Sequence, residues 1–582
     1  MNLETETSRT KLFNINTGKA TSDQVAKSLL GVPEDGRKRH EEFVKSCAED
    51  PQRFEQRITK PKLLTFSAGN VKSYKSVDNK MIEMKCTRDL MGRFAHLATK
   101  QKLDLKSTFA YPLIPVPFSM ASSDGCILKT DKASLRDHLE AKSTKLPKSR
   151  SSDSPTKASC LIIDGQFLLH VLPPNILGTY GDLARSILIS AMTQGDGDDI
   201  RLLFDDYPVG VSLKSAERER RGCNDVQFSI TGPRQKRPTN LRKALASESF
   251  KRGLLLFLVE EWKDNAYCDI LGDKKLYVDI PGMCFLFETS DAQMKCEKIT
   301  DLCNNHLEAD TKVCLHAIHA DQRLAEPGDI IIRASDTDIM VILLHHQPKI
   351  RSLLWMDVGL SSSNTRRYIS ITKIHEEIGD KISAALPAFH AYSGSDFTSC
   401  FFMKAKVRPF EKLMDDPQAQ GAFSDLTCSG NIKAGTQRNL QKFTAKIYGC
   451  KNNKVSLNEY RYMVFDNAYR PKENASNQLE DLSGMNASLL PPCESELTPK
   501  LLRVRFIARM WTNAHKNIIN TVPSEEDGFK RSDNGYEPVW HEGAMLPPDL
   551  NMTGDDKIEE DDKELYNHTI SSSDESDDAD DS

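Results

Sequence analysis

The sequence predicts an α/β protein: a parallel, Rossmann-like sheet with helices on both faces, mainly helical extensions at either end and a disordered acidic tail. Two observations predict the sheet. From Cys160 onward, short apolar runs (CLIID, RLLFD, YVDI with CFLF, DIIIRAS, SLLWMDV) alternate with helix-length stretches such as GDLARSILISAM, GLLLFLVEEW and KISAALPAFHAY, the pattern of strands joined by crossover helices. Three of these runs lead straight into an acid, at Asp164, Asp205 and Asp336. Open parallel sheets bind ligands beyond the carboxyl ends of their strands, so those acids stand where chemistry is expected.

The 582 residues suggest two to four domains at roughly 150 residues each. Residues 1–85 are polar and weakly periodic, and are expected to be weakly ordered. An extension over 86–141 contains a helical stretch from Thr87 to Thr99, then YPLIPVPFSM, whose three prolines forbid a regular element, then a helix in KTDKASLRDHLEA. A Ser/Lys/Pro-rich linker over 142–158 precedes the sheet core at 159–408. Residues 409–547 are mainly helical, with NLQKFTAKIYG and LTPKLLRVRFIARMWTNAHKN as the clearest runs. In the second, Leu501, Leu502, Val504 and Phe506 form an apolar stripe, while Lys500, Arg503, Arg505 and Arg509 are candidates for a basic face. Residues 548–582 are too acidic and too poor in apolar side chains to fold.

Composition narrows the class. At 39% hydrophobic and 28% charged, the chain reads as soluble, and its longest apolar run, Leu254 to Val259, is far short of a membrane span. The start MNLETETSRTKLF lacks the basic and apolar segments of a secretory signal, so an intracellular protein is expected. PRQKRP at 233–238 suggests nuclear import. The fourteen cysteines are scattered without C-x-x-C spacing, which points to reduced thiols and no zinc. A net charge of -5 hides an asymmetry: Asp555–Ser582 carries -11, leaving +6 on the remainder, a balance that suits a nucleic-acid partner.

Five acidic clusters carry the chemical argument. They are Asp164, Asp205, the pair Glu308 and Asp310 in HLEADTKVCLHA, the pair Asp336 and Asp338 in SDTDIMVILL, and Asp396 in HAYSGSDF. Seven carboxylates around one cavity would repel one another unless cations relieved them. Two divalent ions about 4 Å apart suit phosphodiester hydrolysis, and oxygen ligands suit Mg2+ or Mn2+. In VSLKSAERERRG, Lys214 and Arg221 share a helical face with Arg218 between them. Lys404, Lys406 and Arg408 in FFMKAKVRPFEKL are candidates for phosphate contacts.

Taken in order, LIIDG, LLFDD, EAD, SDTD and GSD resemble the PIN-like domain of the flap-endonuclease superfamily, the structure-specific 5′ nucleases. The resemblance implies metal-ligand roles for Asp164, Asp205, Glu308, Asp310, Asp336, Asp338 and Asp396, with the Glu308 to Asp338 group nearest the reacting phosphate. It also implies that Lys214, Arg218 and Arg221 act as electrostatic stabilisers at the scissile phosphate. From about Thr87 to Leu546 the chain is similar to a group of uncharacterised animal proteins with this core. It departs from the family in having no helix-hairpin-helix after Asp396, and in Asp225–Asp291, which does not align with the helical gateway. The expectation is a two-metal nuclease acting on DNA, or on RNA, away from membranes. The alternative is a catalytically silent PIN-like scaffold, associated with a mobile element, that binds nucleic acid or protein partners.

Overall fold

Strands covered on both faces read as unbroken apolar runs, and this governs the centre of the molecule. The computed structural model describes residues 23–50, 53, 72–75, 81–84, 90–122, 125–143, 155, 157–172, 178–206, 212–213, 229–238, 240–452, 454–469, 486–532 and 535–550. Eight strands make the central sheet: β1 (Ala158–Asp164), β2 (Asp199–Leu203), β3 (Lys275–Ile280), β4 (Met283–Ser290), β5 (Gln293–Lys298), β6 (Asp329–Arg333), β7 (Leu353–Val358) and β8 (Arg367–Ser370). Their order across the sheet is β8-β7-β6-β1-β2-β3-β4-β5. The block from β7 to β3 is parallel throughout, with Leu161 opposite Ile331 and Asp164 opposite Leu203. The outer strands β8, β4 and β5 run antiparallel to their neighbours.

Alternation along β1 splits its side chains between two cores. Leu161 and Ile163 pack under α3 (Tyr180–Met192) and α4 (Glu248–Glu261), against Leu183, Ile187, Phe250 and Leu254. Cys160 and Ile162 face the other layer, with Val313 of α5 (Ala309–Arg323), Ile339 of α6 (Thr337–His346) and Leu386 of α7 (Ile371–Tyr392). Each fully buried Ile or Leu contributes about 1.5–3 kcal/mol, so both helical layers are needed to hold the sheet.

The segment over residues 125–143 joins the second core. Its helix, α1 (Ala133–Ser143), places Leu135 and Leu139 at 0% exposure in the same cluster as Ile162 and Ile339. After α7 come α8 (Val407–Met414), α9 (Pro417–Leu426), α10 (Ala434–Tyr448), α11 (Leu457–Tyr469) and α12 (Glu494–Thr512). No helix of the described residues is long and apolar enough to cross a membrane.

Two expectations change. The sheet is not parallel throughout, and YVDI and CFLF are one place where it departs. Only Pro281 and Gly282 separate β3 from β4, too few residues for anything but an antiparallel hairpin, and β5 then extends the same edge. Three of the four cations expected to form a basic face on α12 are internal, Arg509 alone being half-buried. Lys500, Arg503 and Arg505 are 0%, 1% and 6% exposed. Lys500 donates to the Ser399 carbonyl, Arg503 to those of Gly528 and Val539, and Arg505 to that of Glu526. A 3.6-residue period cannot distinguish cations that face water from cations that satisfy buried carbonyls.

The chain builds β1, β2 and β3 outward in one direction, then returns to lay β6 and β7 on the other side of β1. The carboxyl ends of β1 and β6 therefore flank the point where strand order reverses, the usual ligand crevice of such sheets.

Candidate metal centre

Asp164 ends β1 and caps α2 (Gly165–Val171), its Oδ1 accepting from the Gln166 and Phe167 amides at 2.8 and 3.2 Å. Glycine follows because a Cβ at position 165 would lie 2.4 Å from the Phe204 ring. That close approach brings the end of β2 against the end of β1. Asp205, just beyond β2, accepts from the Ala309 amide at 2.8 Å and so ties β2 to the start of α5. Glu308 is the N-cap residue of α5, 7% exposed, and Asp310 lies in its first turn. Beyond β6, Asp336 caps α6 by accepting from the Asp338 amide at 2.9 Å. The spacing of D-x-D is thereby explained: one acid caps the helix and the other occupies its first turn.

Asp338 is 2% exposed and accepts from His390 Nε2 at 2.8 Å. Asp396 sits in a turn after α7, closed by a Ser395–Thr398 hydroxyl contact of 2.7 Å. Gly394 enters that turn at φ 116°, and a Cβ there would lie 2.7 Å from Cys400 Cβ, so the turn requires glycine.

These segments bring all seven predicted carboxylates into one interacting group. Burial pushes the Asp164 carboxyl up to about 7, and Asp205 adds to the shift. Burial, then Asp336, Glu308 and Asp338, hold Asp310 well above the ordinary carboxylate value. Burial and Asp338 raise Asp336, while burial outweighs the opposing Lys132 at Asp338. Helices α2, α5 and α6 all begin here, and their amide-rich ends favour anions, yet the acids stay raised. Oxygens of Asp310, Asp336 and Asp338 lie within 4.8 Å of one another, an arrangement able to hold a metal ion. All three donors are carboxylates, the chemistry of a hard divalent cation rather than of zinc.

Two residues join the site that the sequence did not reveal. Lys132, immediately before α1, places Nζ 3.4 Å from Asp336 Oδ1, 3.2 Å from Asp338 Oδ1 and 3.1 Å from Asp396 Oδ2. Burial alone would lower its pKa, but Asp338, Asp336 and Asp396 outweigh burial and hold it above the ordinary lysine value. His390 on α7 stands behind Asp338. Nothing local marks either residue, since Lys132 meets an acid 264 positions away.

Lys406 corrects the expectation of a phosphate-facing lysine. It is 0% exposed and donates to the His390 carbonyl and to Ser393 Oγ, both at 2.9 Å, with His390 Nδ1 at 3.3 Å. Burial pulls it down to about 7. With Lys406 on Nδ1, the His390 ring is fixed to donate from Nε2 to Asp338. Lys404 lies over the Tyr448 ring at 4.6 Å, and Arg408 is exposed. Lys214, Arg218 and Arg221 fall outside the described residues.

No protein-family model matches this chain, and no curated protein matches it.

Proposed function

We propose that the chain is a divalent-metal-dependent nuclease of PIN-like type, hydrolysing phosphodiester bonds in DNA, with RNA as the other candidate substrate. The observation that carries this reading is the convergence of Asp310, Asp336 and Asp338 oxygens within 4.8 Å, at the strand-order reversal of a parallel sheet. Asp310, Asp336 and Asp338 would hold Mg2+ or Mn2+, with Asp164, Asp205 and Glu308 beside them. A bound divalent ion supplies Lewis acidity toward a phosphoryl oxygen and lowers the pKa of water. The protein's own part is positioning. Helix starts fix one oxygen of Asp164 and one of Asp336, and His390 and Lys132 fix Asp338. Lys404 and Arg408 would meet the phosphate backbone beside the site. Arg234 and Lys236 of PRQKRP are exposed, which supports a nuclear address.

The rival reading, a silent PIN-like scaffold, draws on one observation: Lys132 already neutralises part of the acidic group. End-labelled single-stranded, duplex, hairpin and flap DNA and RNA, incubated with Mg2+ or Mn2+, separate the two. Cleavage by the wild type, reduced at least about 100-fold in Asp336→Asn/Asp338→Asn, is expected, by the scale of losing a group that stabilises transition-state charge. Folded wild type that binds these substrates and never cuts them would hand the protein to the scaffold reading.

A further inference from the structure

The acids of the centre divide by the company they keep. Asp336, Asp338 and Asp396 surround the Lys132 ammonium at 3.1–3.4 Å, so all three of its donors have a carboxylate within reach. Among the described residues, no lysine or arginine lies within ion-pair distance of Asp164 or Asp310, the Lys132 ammonium acting on Asp310 only from farther off.

The backbone that delivers Lys132 is fixed on both sides. Before it, Lys129 donates to the Asp396 carbonyl at 2.8 Å, and the Cys400 amide donates to the Leu128 carbonyl at 2.9 Å. At Lys132 itself, the carbonyl accepts from Thr337 Oγ1 at 3.1 Å. After it, Arg136 donates to the Ser335 carbonyl at 3.0 Å, and Glu140 takes a two-pronged contact from Arg367 at 2.7 Å. Leu135 and Leu139 are fully buried. A segment so anchored is a fixture, not a lid that could swing away to admit an ion.

We infer that the centre binds one divalent cation rather than two, held by oxygens of Asp310, Asp336 and Asp338, and that Lys132 Nζ permanently fills the place a second cation would take between Asp396 and the Oδ1 atoms of Asp336 and Asp338. This rests on the metal-centre reading above. It makes Lys132 a positioning residue and charge substitute: it holds Asp336 and Asp338 in place and supplies a single positive charge where a second ion would supply two.

Counting bound Mn2+ on the full chain tests it, using the electron paramagnetic resonance signal of free Mn2+ with isothermal titration calorimetry on the same samples. The expected result is one ion per wild-type chain, one in Lys132→Arg, and two in Lys132→Met, where the vacated carboxylates become available. Lys132→Met should also melt lower than wild type in EDTA and recover more on addition of Mn2+. Should Lys132→Met fail to fold, the wild-type and Lys132→Arg counts decide. Two ions per wild-type chain, or one in a folded Lys132→Met, overturns the inference and leaves the metal centre standing. No ion on the folded wild type overturns both.

Discussion

Helix α5 carries two polar centres, one at its first turn and one a turn further on, and they solve opposite problems. The second is Asp279 of β3, 0% exposed, with Lys312 Nζ at 2.6 Å, His316 Nε2 at 2.9 Å and Asn304 Nδ2 at 2.7 Å. Asp279, Cys284 and His316 lie close enough together to look like a metal site. Lys312 already occupies the carboxylate, however, and Lys312 and His316 outweigh burial to hold Asp279 below its ordinary value. At the first centre, Asp310, Asp336 and Asp338 stay raised although three helix starts and the Lys132 ammonium face the group and Lys406 acts on Asp338 as well. Clustered ligand atoms therefore do not identify a metal site by themselves. What separates the two is the balance of donors: one centre is saturated from within, while the other retains negative charge that a cation would relieve.

The hardest test of this contrast removes the internal cation. Lys312→Met leaves Asp279 buried without its ammonium, and should cost about 3–5 kcal/mol of stability in urea titrations made in EDTA. Neither Mn2+ nor Zn2+ should restore it. Recovery with either ion would erase the distinction between the centres.

Removing an acid from the first centre should do the reverse. Asp310→Asn takes one charge from a crowded, partly solvated group, so the metal-free protein should gain about 1–2 kcal/mol. The stabilisation conferred by Mn2+ should shrink in the same variant. Loss of stability in EDTA would mean that Asp310 is compensated within the protein, as Asp279 is.

The smallest effect is in pH dependence, where the two centres differ in sign. Asp164 is raised from 3.8 to about 7, so its contribution to stability is present below about 4 and lost as pH rises through about 7. Asp279 is lowered, so its contribution is present above the ordinary carboxylate value and lost as acid reaches its folded pKa. Metal-free wild type should therefore lose up to about 1 kcal/mol more than Asp164→Asn between pH 5 and 8, allowing for water at the site. Mn2+ should flatten that difference, since it favours the ionised carboxylate. Matching slopes for the two proteins would show that Asp164 does not titrate in this window.

The sheet was legible because β1, β2, β6 and β7 are buried on both faces and so appear as continuous apolar runs. The acids were legible for a related reason: a strand end and a helix start are both marked in the local sequence, and six of the seven acids, all but Asp396, occupy such positions. The cations were not. Lys132, Lys406, Lys500 and Arg503 look like surface residues in sequence, and only carbonyls and carboxylates from other segments make the last three internal and Lys132 half-buried. Asp279 escaped notice because it lies inside an apolar strand, with partners on α5 and in the loop before it.

The bond from Lys132 to Asp396 also sets an order of assembly. Chains emerge from synthesis amino end first, and contacts between distant segments must wait for the later one. The Lys132 ammonium is made early, but its carboxylate partners arrive 204 to 264 residues afterwards. During that interval α1 has no α7 or β8 to rest on, and Leu135 and Leu139 have no core to enter. The acidic crevice can close only after the turn at Asp396 has left the ribosome, which makes the centre one of the last parts of the sheet domain to take shape.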